Sequence, residues 1–296
     1  MEALNIRPAG IYVDATFGRG GHAAAILQRL GGQGRLLAMD RDQAAVQVAR
    51  QRFAGDPRFD IEQGAFAGLR TVVARQGLLG RVDGVLLDLG VSSPQLDDAS
   101  RGFSFRNDGP LDMRMDPGAG ISAAEWLAQA SESEIATVLR EFGEERYARR
   151  ISRAIVTARQ QAPIETTAQL AAIVAAANPA WEKGKDPATR SFQALRIHIN
   201  RELEQLQACL DEVIEILAVG GRLAVISFHS LEDRMVKRFI RRQSQGDSVP
   251  RGLPLTGRQQ SIRLRSLGRA HRATAQEVEA NPRARSAVLR VAEKLQ

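Results

Sequence analysis

Along the first hundred residues, short apolar runs alternate with amphipathic stretches of about ten residues. Ile11–Phe17 (Ile-Tyr-Val-Asp-Ala-Thr-Phe) reads as a strand running into a Gly-rich turn, and Ala23–Leu30 as an aliphatic helix stopped by Gly31-Gly32. Arg35–Asp40 is the next short apolar run, Gln43–Phe53 a helix, Phe59–Glu62 a strand, and Val82–Leu89 a strand of the fully buried type. Strands alternating with helices imply βαβ units, hence a parallel sheet covered on both faces.

The middle of the chain breaks this rhythm. From about Ser122 to Leu217 the apolar spacing is helical throughout, and three start signals repeat one mechanism, in which a hydroxyl accepts from exposed backbone N–H groups while an acid or amide reaches back. They are Ser122-x-x-Glu125, Ser131-x-x-Glu134 and Thr166-x-x-Gln169, and Asp186-Pro187 opens a further helical stretch. The strand pattern returns at Gly221–Phe228, followed by a helix over Ser230–Arg242 with Ser230 as cap and Asp233 at its third position. Ser261–Leu267 and Ser286–Ala292 read as closing strands. The expected fold class is therefore α/β, a doubly wound, mostly parallel sheet formed by residues 1–100 and 200–296, with an inserted all-helical domain at 101–199. No internal repeat or low-complexity segment is present.

Composition narrows the classes. At 296 residues with 44% hydrophobic side chains the chain suits one large domain carrying an insertion. Its longest aliphatic run, Leu170–Ala177, falls far short of the roughly 20 residues needed to cross a bilayer, so no membrane association is expected. The first ten residues hold no basic-then-apolar leader, and the lone Cys209 excludes an internal disulfide, so a reduced, cytoplasmic location is expected. The net charge of +7 is unevenly placed: from Arg234 to Arg290 there are 14 Lys or Arg against three acids, leaving the remainder at −4. A basic tail on a near-neutral body points to a polyanionic partner, and its arginine bias favours bidentate phosphate contacts.

The strongest chemical signal is Asp14-Ala-Thr-Phe-Gly18-Arg-Gly20-Gly21-His22: a strand ends in a carboxylate, then glycines let the backbone approach a ligand, then a helix begins. The next strand ends in Asp40, placed where a carboxylate accepts both ribose hydroxyls of a nucleoside. Gly18-x-Gly20-x-x-Ala23 also satisfies the dinucleotide pattern, so NAD and S-adenosylmethionine both remain open, as do an oxidoreductase with a helical substrate domain and a non-catalytic RNA-binding protein. Asp14 tilts the choice, because a carboxylate there suits the cationic aminoacyl end of S-adenosylmethionine and repels a pyrophosphate. Asp88-Leu-Gly-Val-Ser-Ser-Pro-Gln95 follows the fourth strand, at the cleft end of the sheet. Methyltransferases of exocyclic amines carry a short acidic-Pro motif here, because the amine lone pair must be localised by hydrogen bonds and aimed at the methyl carbon from about 3–3.5 Å. Cytosine C5 chemistry needs a cysteine nucleophile, whereas Cys209 sits among Leu206, Leu210 and Val213 as a small apolar group. The four histidines show no metal-ligand spacing, and there is no Gly-x-Ser-x-Gly elbow or Walker lysine.

Seven blocks in order resemble one family, the MraW-type 16S ribosomal RNA cytosine-N4 methyltransferases. They are Asp14–His22, Leu87–Asp97, Arg101–Phe105, Pro110–Asp116, Phe192–Ile197, Ile226–Arg234 and Asn281–Ala287. The resemblance runs from Leu4 to the C-terminus, and the family's preceding His-x-Pro-Val block has no counterpart in this sequence. It implies a class I S-adenosylmethionine methyltransferase fold with an inserted helical domain for substrate recognition. It implies S-adenosyl-L-methionine as cofactor, with Gly20, Gly21 and His22 cradling the methionine part, Asp40 on the ribose, Phe66 beside the adenine, and Asp88 and Gln95 on the methyl-transfer side. The implied substrate is a decoding-site cytosine of 16S rRNA within the small ribosomal subunit; oligomeric state, monomer or homodimer, stays open. Phe103–Phe105 and Pro110–Asp116 fit either a lip over the target base, with Arg114 on phosphate, or packing for the inserted domain.

Overall fold

The structure, a computed structural model, describes residues 1–180, 186–245 and 262–296. The chain divides into two compact units, Met1–Gly90 with Leu203–Gln296, and Val91–Glu202.

The first unit is built on strands β1 (Ile11–Asp14), β2 (Arg35–Asp40), β3 (Phe59–Gln63), β4 (Val82–Asp88), β5 (Leu217–Ser227), β6 (Leu264–Ser266), β7 (His271–Arg272) and β8 (Val288–Lys294). They form one sheet in the order β3-β2-β1-β4-β5-β8-β6, with β7 also paired to β8. The first five run parallel, while β8 pairs antiparallel to β5, β6 and β7. This is the doubly wound, mostly parallel sheet that the alternating pattern predicts. Its strands are apolar on both sides because both faces are covered. Val13, Leu37, Val85 and Val225 point to one face, against helices α3 (Leu69–Arg75), α10 (Glu202–Ile216) and α11 (Ser230–Gln245). Tyr12, Leu36, Leu86 and Ala224 point to the other, against α1 (Gly21–Leu27) and α2 (Gln43–Arg52). A short helix, α12 (Ala275–Ala280), precedes β8.

The second unit consists of α4 (Ser93–Asp97), α5 (Ala123–Gln129), α6 (Glu132–Gly143), α7 (Ala148–Gln161), α8 (Thr167–Ala177) and α9 (Thr189–Asn200) around its own apolar cluster. The three capping boxes form as read at Ser122, Ser131 and Thr166. The unit begins at Val91, ten residues before the boundary expected at 100/101, and extends to Glu202. The physical reason is packing: Val91 and Leu96 lie against the helical cluster, and Ser92 with Gln95 closes a capping box on α4.

Several elements differ in extent from their sequence patterns. The first strand stops at Asp14; beyond it Ala15 and Phe17 still donate to the Leu86 and Met39 carbonyls of β4 and β2, while Gly18 N turns to the Asp40 carboxylate. Strand β5 starts at Leu217, earlier than Gly221. Helix α11 includes Ser230 as its first residue, so the reach-back acid is Glu232, which accepts from Phe228 N at 2.9 Å, and Asp233 instead pairs with Arg290. The expected closing strand from Ser261 is described only as Leu264–Ser266, Ser261 lying outside the described residues. Helix α3 carries no sequence signal used above, since its seven residues, Leu-Arg-Thr-Val-Val-Ala-Arg, are rich in β-branched side chains.

Candidate functional site

Strand order reverses between β1 and β4, and such a switch point opens a crevice at the carboxyl ends of the strands. Register decides what lines it. Asp14 pairs with Ala38 on β2 and with Leu86 on β4, so each neighbour strand extends two residues further, ending in Asp40 and Asp88. Three adjacent strands thus each deliver one carboxylate to the same edge.

The turn after β1 binds these strands together. Gly18 N donates to Asp40 Oδ2 and Asp42 N to Asp40 Oδ1, both at 2.8 Å. Thr16 Oγ1 accepts from Asp88 N at 2.6 Å. Gly20 sits at φ +71° immediately before α1, and a Cβ there would lie 2.5 Å from the Phe17 ring, so the position requires glycine on two counts. A Cβ on Gly21 would meet nothing within 4 Å, leaving that backbone open to a ligand. Phe17 is held beneath the turn by Phe53 and Phe59, and Arg52 donates to the Arg19 carbonyl from outside.

The electrostatics of this edge are set by its carboxylates and by His22. Asp14 is fully buried; its Oδ1 accepts from Thr16 N at 3.3 Å, and its Oδ2 carries no hydrogen bond. Burial pushes its carboxyl up to about 7, opposed chiefly by His22 and reinforced by the neighbouring Asp88 and Asp40. Burial also raises Asp40, against its two backbone hydrogen bonds. His22 Nε2 lies 3.3 Å from Asp88 Oδ2, and that contact raises the imidazole above its ordinary value despite its partial burial. Asp88 Oδ1 is buried without a partner. Two orphaned carboxylate oxygens in one crevice call for an external donor or positive charge.

The other sequence candidates are placed as follows. Phe66 follows β3, half-buried against the sheet cluster. Gln95 belongs to the helical unit, where it is buried and its Oε1 accepts from Ser92 N at 2.9 Å. Phe103 and Phe105 pack into the helical cluster, with Phe105 edge-on to Phe192 at 4.8 Å between centroids. Arg114 is paired with Asp112, while Asn200 holds the Met113 and Met115 backbone at 2.7 and 2.8 Å. Phe103, Phe105 and the Met113–Met115 backbone thus make packing contacts within the inserted unit. Ser227 is buried, and His229 Nε2 lies 3.1 Å from the buried Glu232. Cys209 is buried in the sheet core, which pushes its thiol up to about 12 and leaves it unreactive. Thr16, Asp42 and Glu232 were missed by sequence reasoning. The only signal for Thr16 is its place inside the Asp14–His22 block, since nothing local shows that its hydroxyl reaches a strand 72 residues away.

The helices of the described residues include none long and apolar enough to cross a membrane. Comparison with known proteins is consistent along the whole length. A protein of Thioalkalivibrio sulfidiphilus named ribosomal RNA small subunit methyltransferase H is 62% identical, covering all of this chain and 94% of its own. Its namesakes from Chromohalobacter salexigens and Thiobacillus denitrificans are each 60% identical, covering all of this chain and 89% and 94% of theirs. The model of the MraW methylase family matches residues 1–295, spanning the glycine turn, the three strand-end carboxylates and the inserted helices alike. A match of that extent, on a sheet whose switch point is built as described, makes the chain a member of the MraW methylase family.

Proposed function

We propose that the protein is an S-adenosyl-L-methionine-dependent methyltransferase that modifies the exocyclic N4 of a decoding-site cytosine in 16S rRNA, within the small ribosomal subunit. Family membership and the names of its relatives support rRNA as substrate. The observation that carries the cofactor reading is the buried, unpartnered oxygen Asp14 Oδ2 beside an open glycine turn. Asp14 and Asp88 around the His22 imidazole, with Asp40 beside Asp14, fit a cationic ligand and repel a pyrophosphate. S-Adenosylmethionine, when bound, supplies an electrophilic methyl carbon on a sulfonium.

The chain's own groups then divide the work. Asp14 offers its free oxygen to the ammonium of the aminoacyl end, and Gly20, Gly21 and His22 shape the space around it. Each oxygen of Asp40 accepts one backbone N–H and keeps a second lone pair for a ribose hydroxyl. Phe66 flanks the adenine. Asp88, held by Thr16 and His22, accepts a hydrogen bond from the cytosine amine through Oδ1, localising the nitrogen lone pair and orienting it for in-line transfer. Its carboxylate is the acceptor for the proton that the amine loses as the N–CH3 bond forms and the methyl–sulfur bond breaks. The helical unit and the basic C-terminal segment position the RNA.

The test is transfer of tritiated methyl to small subunits isolated from cells that lack this protein, followed by mass spectrometry of the nucleosides. N4-methylcytidine is the expected product. Label at carbon 5, or no label on any small-subunit substrate, refutes the reading. Asp88→Ala is expected to lower kcat by about a hundredfold or more while RNA affinity stays within about twofold.

A further inference from the structure

Helix α11 packs beside β6 and β8, and Arg263 N ties its last turn to the start of β6 through the Gln243 carbonyl at 3.0 Å. Between the helix and the turn that follows β6 lies a cleft of about 160 Å³. Its charged lining among the described residues consists of Lys237, Arg241, Arg269 and Arg290, with no acidic side chain. A cleft of this size holds about five waters' worth of liquid, enough for a phosphate with part of its sugar.

The cations are not equivalent. Arg290 is neutralised by a two-pronged bond to Asp233 at 2.7 and 3.0 Å, which fixes it as the floor. Among the described residues Arg241 donates to the neutral Gln245 alone, at 2.9 Å, with no carboxylate beside it. Lys237 and Arg269 are exposed and make no hydrogen bond or ion pair with the described residues. Three positive charges around one small cleft repel one another, and among the described residues no carboxylate pairs with them. Ser244 and Ser266 stand at the same wall, their hydroxyls donating to the Arg241 and Gly268 carbonyls at 3.3 Å. The surroundings strengthen the field: residues 230–245 and 262–296 together carry thirteen Lys and Arg against five Asp and Glu.

We propose that this cleft is a docking site for an RNA phosphodiester, held by Lys237, Arg241 and Arg269, and that it anchors the substrate through its backbone. It rests on the reading of the protein as an rRNA methyltransferase, and it adds a site that the crevice at Asp14, Asp40 and Asp88 does not contain. A guanidinium offers a phosphate two parallel N–H donors and Lys a compact third charge, so the set holds the backbone without reading bases.

The experiment compares the full-length protein with Lys237→Gln/Arg269→Gln and with Arg50→Gln/Arg81→Gln, a control that removes the same charge from exposed positions outside the cleft. Binding of a labelled 20-nucleotide single-stranded RNA of mixed sequence is measured from 50 to 300 mM salt, alongside S-adenosylmethionine affinity and the melting temperature. For the cleft variant the expected result is an RNA affinity about tenfold or more weaker at low salt, and a log–log salt slope shallower by about one to two. The control is expected to fall within threefold of the unmodified protein, and all three to bind S-adenosylmethionine equally. Unchanged RNA affinity in the cleft variant, or an equal loss in the control, overturns the site. So does a cleft variant that loses binding to phosphatidylglycerol vesicles while keeping its RNA affinity. Failure of the underlying reading is seen separately, as absence of methyl transfer by the unmodified protein.

Discussion

Asp14→Asn tests the central physical idea, that an isolated buried carboxylate is held in place for a cationic ligand. In the ligand-free protein Asp14 titrates at about 7 against an ordinary value of 3.8, mainly because burial disfavours its charge. The folded state therefore binds this proton more tightly than the unfolded chain does. Its effect on stability is absent below about pH 3.8, grows as pH rises between the two values, and is complete above about 7. Each pH unit in that window is worth about 1.4 kcal/mol, so the ionised carboxylate destabilises the free protein by roughly 4 kcal/mol at pH 8. Asparagine keeps the shape and the acceptor for Thr16 N but removes the charge. Its amide nitrogen, standing where Oδ2 had no donor, finds no acceptor and gives back about 1 kcal/mol. The variant should thus be about 2–3 kcal/mol more stable than the unmodified protein at pH 8, and nearly equal to it at pH 4.5. Urea unfolding followed by circular dichroism at several pH values, fitted with a common m-value, measures the difference. The same variant should bind S-adenosylmethionine at least tenfold more weakly. A stability gain that does not grow with pH would refute the reasoning, because it would mean that Asp14 is not a desolvated charge.

Other expectations follow from neighbouring residues. Gly20→Ala forces a side chain into the left-handed region and into the Phe17 ring, and should cost about 2–4 kcal/mol in urea unfolding together with cofactor affinity. His22 should titrate by NMR above 6.5 in the ligand-free protein, and Asp88→Asn should move it downward, since the contact with Asp88 is the largest cause of its elevation. The stability that this pair confers is present at low pH and is lost as pH rises through the folded-state value of His22. Cys209 should resist iodoacetamide at pH 8 until the protein is unfolded, and Cys209→Ala should retain methyl transfer; rapid alkylation of the native protein would contradict its burial.

Much of this molecule is written locally. Both faces of a parallel sheet are covered, so β1, β2 and β4 appear as apolar runs ending in Asp14, Asp40 and Asp88, and the glycines between β1 and α1 mark the turn by their conformational demands. Capping boxes at Ser122, Ser131 and Thr166 are legible because a cap and its partner lie three residues apart. Those periodicities and spacings determine the fold class and the region of the site by themselves. What they leave out are relations between distant segments. Only the register of β1 against β2 and β4 decides that the three carboxylates share one edge, and only burial decides that Asp14 cannot be solvated. The hold of Thr16 on Asp88 and the pairing of Asp233 with Arg290 were likewise settled by packing. A charge pattern shows that the C-terminal segment is basic, but whether a given arginine is neutralised or free depends on which acid the fold brings beside it. Desolvation and pairing are properties of the surroundings in space, and neighbours along the chain do not specify them.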